Sequence, residues 1–232
     1  MSREISFCSG KSLTRFLENP LRTQYDLIKL LLKTVQEIIT PNSDTKAIAT
    51  MDKGTIEGFR IVSPEIANEK MQRIFFYNRY PDYNGEKMYT IQSFIFPFKL
   101  NRDEFGEFKV LYHSPSMTVE LDAYVVSRIM TLINIIDTDE LTWGDTWVEE
   151  LMSLLYGEVM EDITTKQIFY IVNEFLVLDF GYLRFDNDPK HEKVNHPRYH
   201  LDLHLNNKVT YKLGIEGSVN FKEFIEILDN NQ

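Results

Sequence analysis

The chain has 232 residues, of which 43% are hydrophobic and 13% aromatic, and its formal net charge is -10. This composition supplies enough apolar material for a sizeable core and excludes an intrinsically disordered chain. The excess of acids over bases argues against non-specific binding to the phosphate backbone of nucleic acids.

The cysteine content and the apolar segments bear on whether the protein is cytoplasmic, secreted or membrane-bound. Cys8 is the single cysteine, which excludes an internal disulfide, and the starting segment MSREISFCSGK lacks the apolar stretch of a secretory signal. The longest apolar segments contain Lys29, Lys33 and Arg128 at spacings typical of amphipathic helices in water. We therefore expect a cytoplasmic protein that does not enter a membrane.

The first half of the chain predicts helices followed by strands. Residues 12–40 have helical periodicity, interrupted at Asn19 and Pro20. Residues 46–121 contain β-branched and aromatic runs separated by turn residues, which is typical of an antiparallel meander. The SGKS segment is not a phosphate-binding loop, because Ile5 stands at the first glycine position of that motif and no strand is expected before it.

The second half completes the predicted fold class. Residues 122–175 return to helical periodicity, and the last block alternates over LVLDFGYLRF and YHLDLHL before a short helix at NFKEFIEIL. The pattern predicts an α+β fold: a central antiparallel sheet (a meander), helices from the N-terminal and middle segments packed on it, and a C-terminal βα element. The chain is either a single domain, 1–232, or two lobes, 1–121 (helix plus meander) and 122–232 (acidic helical block plus His-rich β/α segment).

The acidic charge is concentrated in residues 137–162. This stretch holds nine acids and no Lys or Arg, and an apolar stripe with Trp143 and Trp147 runs through it. One interpretation is the solvated outer face of a core helix. The other is a docking surface for a protein with a basic surface, or for a second copy of the chain. The residues expected to bind this partner are Asp145, Glu149 and Glu150.

Four of the five histidines fall in one segment: His191, His196, His200 and His204. Histidine titrates near neutral pH and is the commonest metal ligand, so the bunching concentrates candidate chemistry there. Residues 199–205 alternate strictly between apolar and polar, which predicts a strand with its apolar set buried and its polar set facing outward or into a cleft. Extended residues four apart are separated by about 13 Å, so His200 and His204 cannot bind one metal ion directly.

The functional interpretation of this strand is an acid/base site in which Asp202 orients a neighbouring histidine. Arg184 and Arg198 are expected to contact an anionic group of the substrate. The candidate catalytic residues are His196, His200, Asp202 and His204. The alternative is a polar sheet face whose histidines only bond their neighbours. Metal ligation and the identity of any cofactor stay open.

A metal-dependent nuclease with a different site is a weaker alternative. Asp82 and Glu107 would hold Mg²⁺, and Lys109 would help position the attacking water. Acids and bases are frequent in this chain, so such a pattern arises readily by chance. Glu120 and Asp122 could face the same cleft or cap the helix that follows them.

The C-terminal segments resemble two bacterial families. LRFDNDP, HPRYHLDLHLNN, VTYKL and NFKEFIEIL, in that order, resemble a poorly characterised family with an HPxxHLHxG-like segment, a strand and a short FxxFI helix. His196, Pro197, His200 and Leu201 match this pattern, and Asp202 stands at the family's next histidine. RFDN before a His-rich stretch is similar to TumE-like toxins of toxin–antitoxin pairs. The resemblance implies a bacterial stress, mobile-element or phage-defence setting.

Two functions are compatible with these observations. The first is a toxin- or defence-type enzyme that acts on RNA or another phosphate-containing substrate through the His/Asp cluster. Nucleic acid is expected to bind only locally, over residues 184–212, where six basic residues oppose four acids. The second is a non-enzymatic subunit of a bacterial defence or toxin–antitoxin complex that holds a partner with its acidic block.

Overall fold

The structure, a computed structural model, describes residues 3–19, 21–40, 47–48, 58–63, 72–138, 163–204 and 210–228. Over these residues it confirms the α+β class. The strands are β1 Arg3–Phe7, β2 Ala47–Ile48, β3 Gly58–Ser63, β4 Gln72–Tyr83, β5 Glu86–Phe96, β6 Phe98–Arg102, β7 Phe108–Ser114, β8 Met117–Glu120, β9 Leu183–Asn187, β10 Tyr199–His204 and β11 Thr210–Gly214. The helices are α1 Lys11–Leu17, α2 Gln24–Ile39, α3 Ala123–Asp137, α4 Ile163–Val177 and α5 Phe221–Leu228.

The chain divides into two compact units, and their boundaries differ from the predicted lobes 1–121 and 122–232. The chain passes from one unit to the other four times, so no single cut in the sequence separates them. The first, here called the sheet unit, comprises Met1–Pro20, Asn42–Pro97 and Asp179–Gln232. The second, the helical unit, comprises Leu21–Pro41 and Phe98–Leu178.

The strands that were predicted as one meander divide into two sheets at Pro97. β2 to β5 belong to an eight-stranded sheet, whereas β6, β7 and β8 form a separate three-stranded sheet. Pro97 lies between β5 and β6 and has no backbone N–H, so it cannot donate to a strand ladder. The break therefore follows from the residue itself, although the sequence pattern alone predicted continuous pairing.

The helical unit is held by caps and a charge pair at its helix ends. Thr23 and Asp26 form a reciprocal capping box at the start of α2. The side chain of Asp122 accepts a hydrogen bond from the backbone N–H of Val125 at 2.8 Å, which confirms the helix-capping interpretation of this residue. Lys29 on α2 pairs with Asp137 on α3 at 2.6 Å.

The sheet unit is built on eight antiparallel strands in the order β11-β10-β9-β5-β4-β3-β1-β2. β9 pairs with β5 although all of the helical-unit segment Phe98–Leu178 lies between them in sequence. β1 directly precedes the SGKS segment, so the expectation that no strand stands there was wrong. Ile5 still occupies the first glycine position of a phosphate-binding loop.

One face of this sheet packs against α5 in an apolar core. Phe221, Phe224 and Ile225 of α5 are buried there. The strand residues of the same cluster are Val62, Phe75, Tyr89, Ile91 and Phe185. The Phe75 and Phe224 rings meet edge to face with centroids 6.3 Å apart, a favoured geometry for aromatic pairs. Because strand side chains alternate, the neighbouring residues of each strand project to the opposite face.

Part of the predicted acidic block lies outside the described residues. This holds for Trp143, Trp147, Asp145, Glu149 and Glu150. In the ranges that the structure does describe, no helix combines the length and the apolar character needed to cross a lipid bilayer.

Candidate active site

One row of paired residues crosses seven strands on the sheet face opposite α5. Each residue of the row is the direct partner of the next, and directly paired residues share a face. The row consists, in order, of Phe7, Phe59, Phe76, Gln92, Arg184, Asp202 and Lys212. Its three aromatic rings follow one another with centroids 4.9 and 5.7 Å apart. The face therefore changes from aromatic to ionic where β5 meets β9.

A second row lies beside the first, two residues along each strand. It joins Asn78, Thr90, Asp186, His200 and Gly214. The two rows bring together five ionisable side chains, here called the β9–β11 cluster: Arg184, Asp186, His200, Asp202 and Lys212. Asp186, His200 and Asp202 are only 5%, 0% and 3% exposed. Charged groups withdrawn from water to this degree require partners, and the cluster supplies them.

His200 is oriented by the loop that precedes β10. Its Nδ1 lies 2.7 Å from the carbonyl oxygen of Pro197, which can only accept, so Nδ1 carries the proton and donates. Nε2 therefore faces the cluster. Gly214 makes this arrangement possible, because a Cβ atom there would meet Cγ of Pro197 at 3.0 Å. A side chain at this position would require Pro197 to shift by a few tenths of an ångström.

The two buried carboxylates share cationic partners. Nη2 of Arg184 donates to Oδ2 of Asp186 at 2.8 Å and also to Oδ2 of Asp202. Nζ of Lys212 lies 3.0 Å from Oδ1 of Asp202 and 2.8 Å from Nε2 of His200. Burial alone lowers the pKa of Arg184, but the neighbouring Asp186 and Asp202 raise it above its ordinary value. The guanidinium therefore stays charged and compensates both acids.

Asp186 has one carboxylate oxygen that the cluster does not use. Oδ2 accepts from Arg184 and lies 3.1 Å from Nε2 of His200. Oδ1 is buried, and within the described part of the chain no donor reaches it. A buried oxygen without a donor costs about 1–3 kcal/mol, so native structures rarely leave one unsatisfied.

A second histidine–carboxylate pair lies at the edge of the β9–β11 cluster. Oδ2 of Asp188 is 3.3 Å from Nε2 of His196 and 2.9 Å from Nδ1 of His191. The His196 ring packs edge-on against His200, with centroids 4.6 Å apart. Burial works to raise the pKa of Asp188, but its hydrogen bonds to the two histidines outweigh this effect and lower it. Asp188 therefore stays ionised beside a partly exposed imidazole.

A cavity of about 400 Å³ opens on the same face, two strands away from Asp186. Its walls include Thr14 and Leu17 of α1 and the β4 residues Asn78 and Tyr80. β4 and β9 flank β5, so they lie about 10 Å apart. Burial raises the pKa of Tyr80, a hydrogen bond with Thr90 opposes the rise, and the charge of Asp186 adds to it. The phenol of Tyr80 thus links the cavity wall to the cluster.

The predicted strand over the histidine segment is confirmed as Tyr199–His204, but the predicted burial is wrong in part. His200 and Asp202 are buried, while Leu203 on the opposite face is 38% exposed. The apolar core around α5 takes in Tyr199 and Leu201, so the core covers the start of β10 and leaves Leu203 in contact with solvent. The polar face is buried at His200 and Asp202, and the charges there are paired across three strands.

The structure brings some of the predicted site residues together and separates others. His200 and Asp202 share the cluster, and His196 contacts it. Arg184 is also in the cluster, where it pairs with carboxylates. Arg198 instead pairs with Glu86 at 2.7 Å, outside the cluster. His204 ends β10, and its side chain lies outside what the structure describes, as does Leu205.

Three residues of the site were not singled out from the sequence: Asp186, Asp188 and Lys212. The carboxylate nearest to Nε2 of His200 belongs to Asp186, at 3.1 Å, whereas that of Asp202 is 3.7 Å away. The carboxylate beside His196 belongs to Asp188. The alternation of RFDND was a usable signal, since it indicates a polar face on β9. Which of its residues oppose His200 depends on strand register, which the alternation does not determine.

Comparison of the chain with models of protein families, with curated proteins and with solved structures gave no match. The assignment of function therefore depends on the residues of the site.

Proposed function

We propose that this chain is a hydrolytic enzyme of bacterial toxin or phage-defence type, working in the cytoplasm on RNA or another phosphate-containing substrate. The observation that carries the proposal is the juxtaposition of the buried β9–β11 cluster with the Asp188–His196 pair at its edge. A buried, charge-compensated group next to a partly exposed histidine is a typical arrangement for acid/base chemistry.

His196 is the candidate acid/base residue. Its Nε2 is held by Asp188 at 3.3 Å, which leaves Nδ1 as the second proton-exchanging atom of the ring. The His196 side chain is 19% exposed, so a substrate or water can reach it, whereas His200 is fully buried. In this proposal Asp188 orients His196, in the place where Asp202 was expected from the sequence.

The cations of the cluster favour an anionic substrate. Lys212 and Arg184 are 28% and 19% exposed, and both already contact Asp202. An incoming phosphate could accept further hydrogen bonds from the exposed parts of these two side chains, which would bring its oxygens next to fixed positive charges. The charge that develops on a phosphoryl group during hydrolysis would be stabilised by the same side chains.

The cavity beside Tyr80 is the proposed place for the rest of the substrate. Its volume of about 400 Å³ is in the range of small-molecule sites. Tyr80 is among the residues that line it, and nucleobases stack on aromatic rings. A nucleotide bound there could place a phosphate toward Arg184 on β9, about 10 Å from β4.

The acidic stretch supports a second candidate function, a partner-binding subunit. Nine acids without a Lys or Arg over residues 137–162 create a field that favours a protein with a basic surface. Asp137 is already paired with Lys29, so the remaining acids carry this proposal. The expected contact residues are Asp145, Glu149 and Glu150. The same surface could restrain the enzyme by holding an antitoxin-type partner.

The test of the enzymatic proposal is cleavage of end-labelled RNA and DNA oligonucleotides by the purified chain. We expect a discrete RNA cleavage product from the wild type and its loss in His196→Ala. His113→Ala is the matched control, because His113 is exposed, belongs to the helical unit and bonds only Thr118 among the contacts described. Equal cleavage by wild type and His196→Ala would contradict the proposed role of His196. No cleavage of either nucleic acid, with or without added divalent metal, would contradict the enzymatic proposal for nucleic acids.

A further inference from the structure

We propose that Asp186, His200 and Asp202 form a binding site for one divalent transition-metal ion, and that the ammonium group of Lys212 competes with the ion for it. Binding of the ion does not depend on the proposed function. Only the use of the ion in catalysis rests on that function. The metal would provide a Lewis acid next to the anionic group of the substrate.

The three side chains stand close to the separations that one ion requires. One ligand atom from each of them lies within 4.8 Å of the other two. Nε2 of His200 is 3.1 Å from Oδ2 of Asp186 and 3.7 Å from Oδ1 of Asp202. An ion with bonds of about 2.0–2.2 Å holds neighbouring ligands about 3.0–3.6 Å apart, so small side-chain movements complete the geometry.

His200 is prepared as a metal ligand by its hydrogen bond to the backbone. Metal-binding histidines usually donate their second ring N–H to a carbonyl or carboxylate, which fixes the tautomer. Nδ1 of His200 does this with the carbonyl oxygen of Pro197 at 2.7 Å. Nε2 accepts from Lys212 at 2.8 Å and lies beside the two carboxylates, so its lone pair is open to an ion once the ammonium leaves.

A second, independent observation is the unused oxygen Oδ1 of Asp186. Asp186 is 5% exposed, and among the residues described no donor reaches this oxygen. Arg184 contacts Oδ2 through both Nε and Nη2, and Oδ2 is also the oxygen that lies 3.1 Å from Nε2 of His200. An ion bound by both oxygens of Asp186 would satisfy Oδ1 and share Oδ2 with Arg184.

Lys212 contacts the same atoms that the ion would use. Its ammonium nitrogen is 2.8 Å from Nε2 of His200 and 3.0 and 3.1 Å from the two oxygens of Asp202. These are atoms that would coordinate the metal, so the ammonium and the ion exclude each other. Lys212 lies on β11, at one end of the strand order, and its side chain is 28% exposed. It can therefore swing toward solvent when the ion binds.

The ligand set indicates which ion is preferred. One imidazole nitrogen and two carboxylates suit Mn²⁺ or Zn²⁺ better than Mg²⁺, which favours oxygen ligands alone. Exchange of the Lys212 ammonium for a doubly charged ion also changes the balance of charge. The acids are neutralised by Arg184 and Lys212 before exchange, and the liganded site has one positive charge in excess afterwards. That excess is suited to a phosphate group.

The test is the binding of Mn²⁺ to the purified full chain. Binding is measured in electron paramagnetic resonance as the loss of the signal of free Mn²⁺. We expect one bound ion in the wild type and at least about tenfold weaker binding in Asp186→Asn. Lys212→Met should bind Mn²⁺ at least about tenfold more tightly, because the competing ammonium is removed. Lys222→Met is the matched control, since Lys222 is 83% exposed on α5 and its change should leave binding unaltered.

Lys212→Met tests the metal site independently if Asp186→Asn does not fold. A purely structural lysine predicts that Lys212→Met is less stable and binds no Mn²⁺, and this result would overturn the proposal. An unchanged affinity of Lys212→Met for Mn²⁺ would contradict the proposed competition between the lysine and the ion. Mn²⁺ binding without RNA cleavage would contradict the proposed function and leave the site standing. RNA cleavage by a chain that binds no Mn²⁺, and that is unaffected by chelators, would contradict the site alone.

Discussion

Nζ of Lys212 lies closer to Nε2 of His200, at 2.8 Å, than any carboxylate oxygen does. Because Nδ1 of His200 donates to a carbonyl, Nε2 is free to accept from the lysine. Lys212 donates to His200 and to the neighbouring Asp202, so the three side chains form one unit. The middle of β11 is thus joined to β10 through charge as well as through the ladder.

Arg184 is expected to be the most important residue of the cluster for stability. It contacts both Asp186 and Asp202, whose side chains are only 7% and 4% exposed. Arg184→Met keeps the side-chain bulk and leaves two buried acids short of a counter-ion. We expect the free energy of unfolding to fall by about 3–5 kcal/mol, measured by denaturant titration.

The control for this prediction is an exposed ion pair. Lys109 and Glu120 are 3.3 Å apart, with side chains 48% and 51% exposed. Lys109→Met should change the free energy of unfolding by no more than about 1 kcal/mol. Similar losses in the Arg184 and Lys109 variants would show that burial of the cluster does not set its energetic importance.

The double change His196→Ala and His200→Ala should abolish any growth inhibition caused by expression of the chain. His196 provides the exposed imidazole, and His200 connects it to the buried acids. Because His200 is fully buried, the double variant is also expected to melt at a lower temperature. The single change His196→Asn separates the two effects, since it should remove inhibition at nearly unchanged melting temperature. If the double variant kept both its inhibition and its melting temperature, the histidines would have no role in activity.

Tyr89 is expected to make the fold less stable at alkaline pH. Its hydroxyl donates to the carbonyl of Val219 at 3.0 Å, and burial, with Tyr77 nearby, raises the pKa of Tyr89 to about 12. Between pH 10 and 12 the folded protein keeps a proton that the unfolded chain has lost. The free energy of unfolding should therefore fall as the pH rises through this interval.

Tyr89→Phe tests this dependence directly. At neutral pH the variant should lose about 0.5–1.5 kcal/mol with the hydrogen bond to Val219. Above pH 10 its decline should be shallower than that of the wild type. Tyr170→Phe, a change at a 57% exposed tyrosine, should leave the wild-type slope intact. An unchanged slope in Tyr89→Phe would exclude Tyr89 as the titrating group.

The acidic stretch should steer a basic partner. Residues Asp145, Glu149 and Glu150, changed together to their amides, are expected to slow association with a lysine-rich peptide used as the probe. The wild-type rate should fall as salt rises to physiological strength, where the screening length is about 8 Å. Equal rates for both chains and a flat salt profile would mean that these acids form only a solvated surface.

Local patterns in the sequence were sufficient for the elements but not for the site. The alternation at Tyr199–His204 predicted β10 because a period of two is a property of one strand. The positions of Asp186 and Lys212 opposite His200 and Asp202 depend on pairing between three strands. A shift of one residue in either ladder would place those side chains on the other face.

The burial of the polar face was unpredictable for a related reason. The sequence pattern placed His200 and Asp202 on a face directed outward or into a cleft, because an unpaired charge does not remain in a core. Arg184 and Lys212, which make their burial possible, come from neighbouring strands. The α5 core, in contrast, was accessible from the apolar periodicity of NFKEFIEIL, since its stripe is contained in one helix.

The return of β9 to β5 has a consequence for the timing of synthesis. A ribosome completes β5 and then the entire Phe98–Leu178 segment before it begins β9, and Lys212 on β11 follows later still. A nascent chain can therefore form the β3–β4–β5 hairpins early, while long-range pairing waits. Any chemistry that depends on the β9–β11 cluster therefore begins only once translation has passed Lys212.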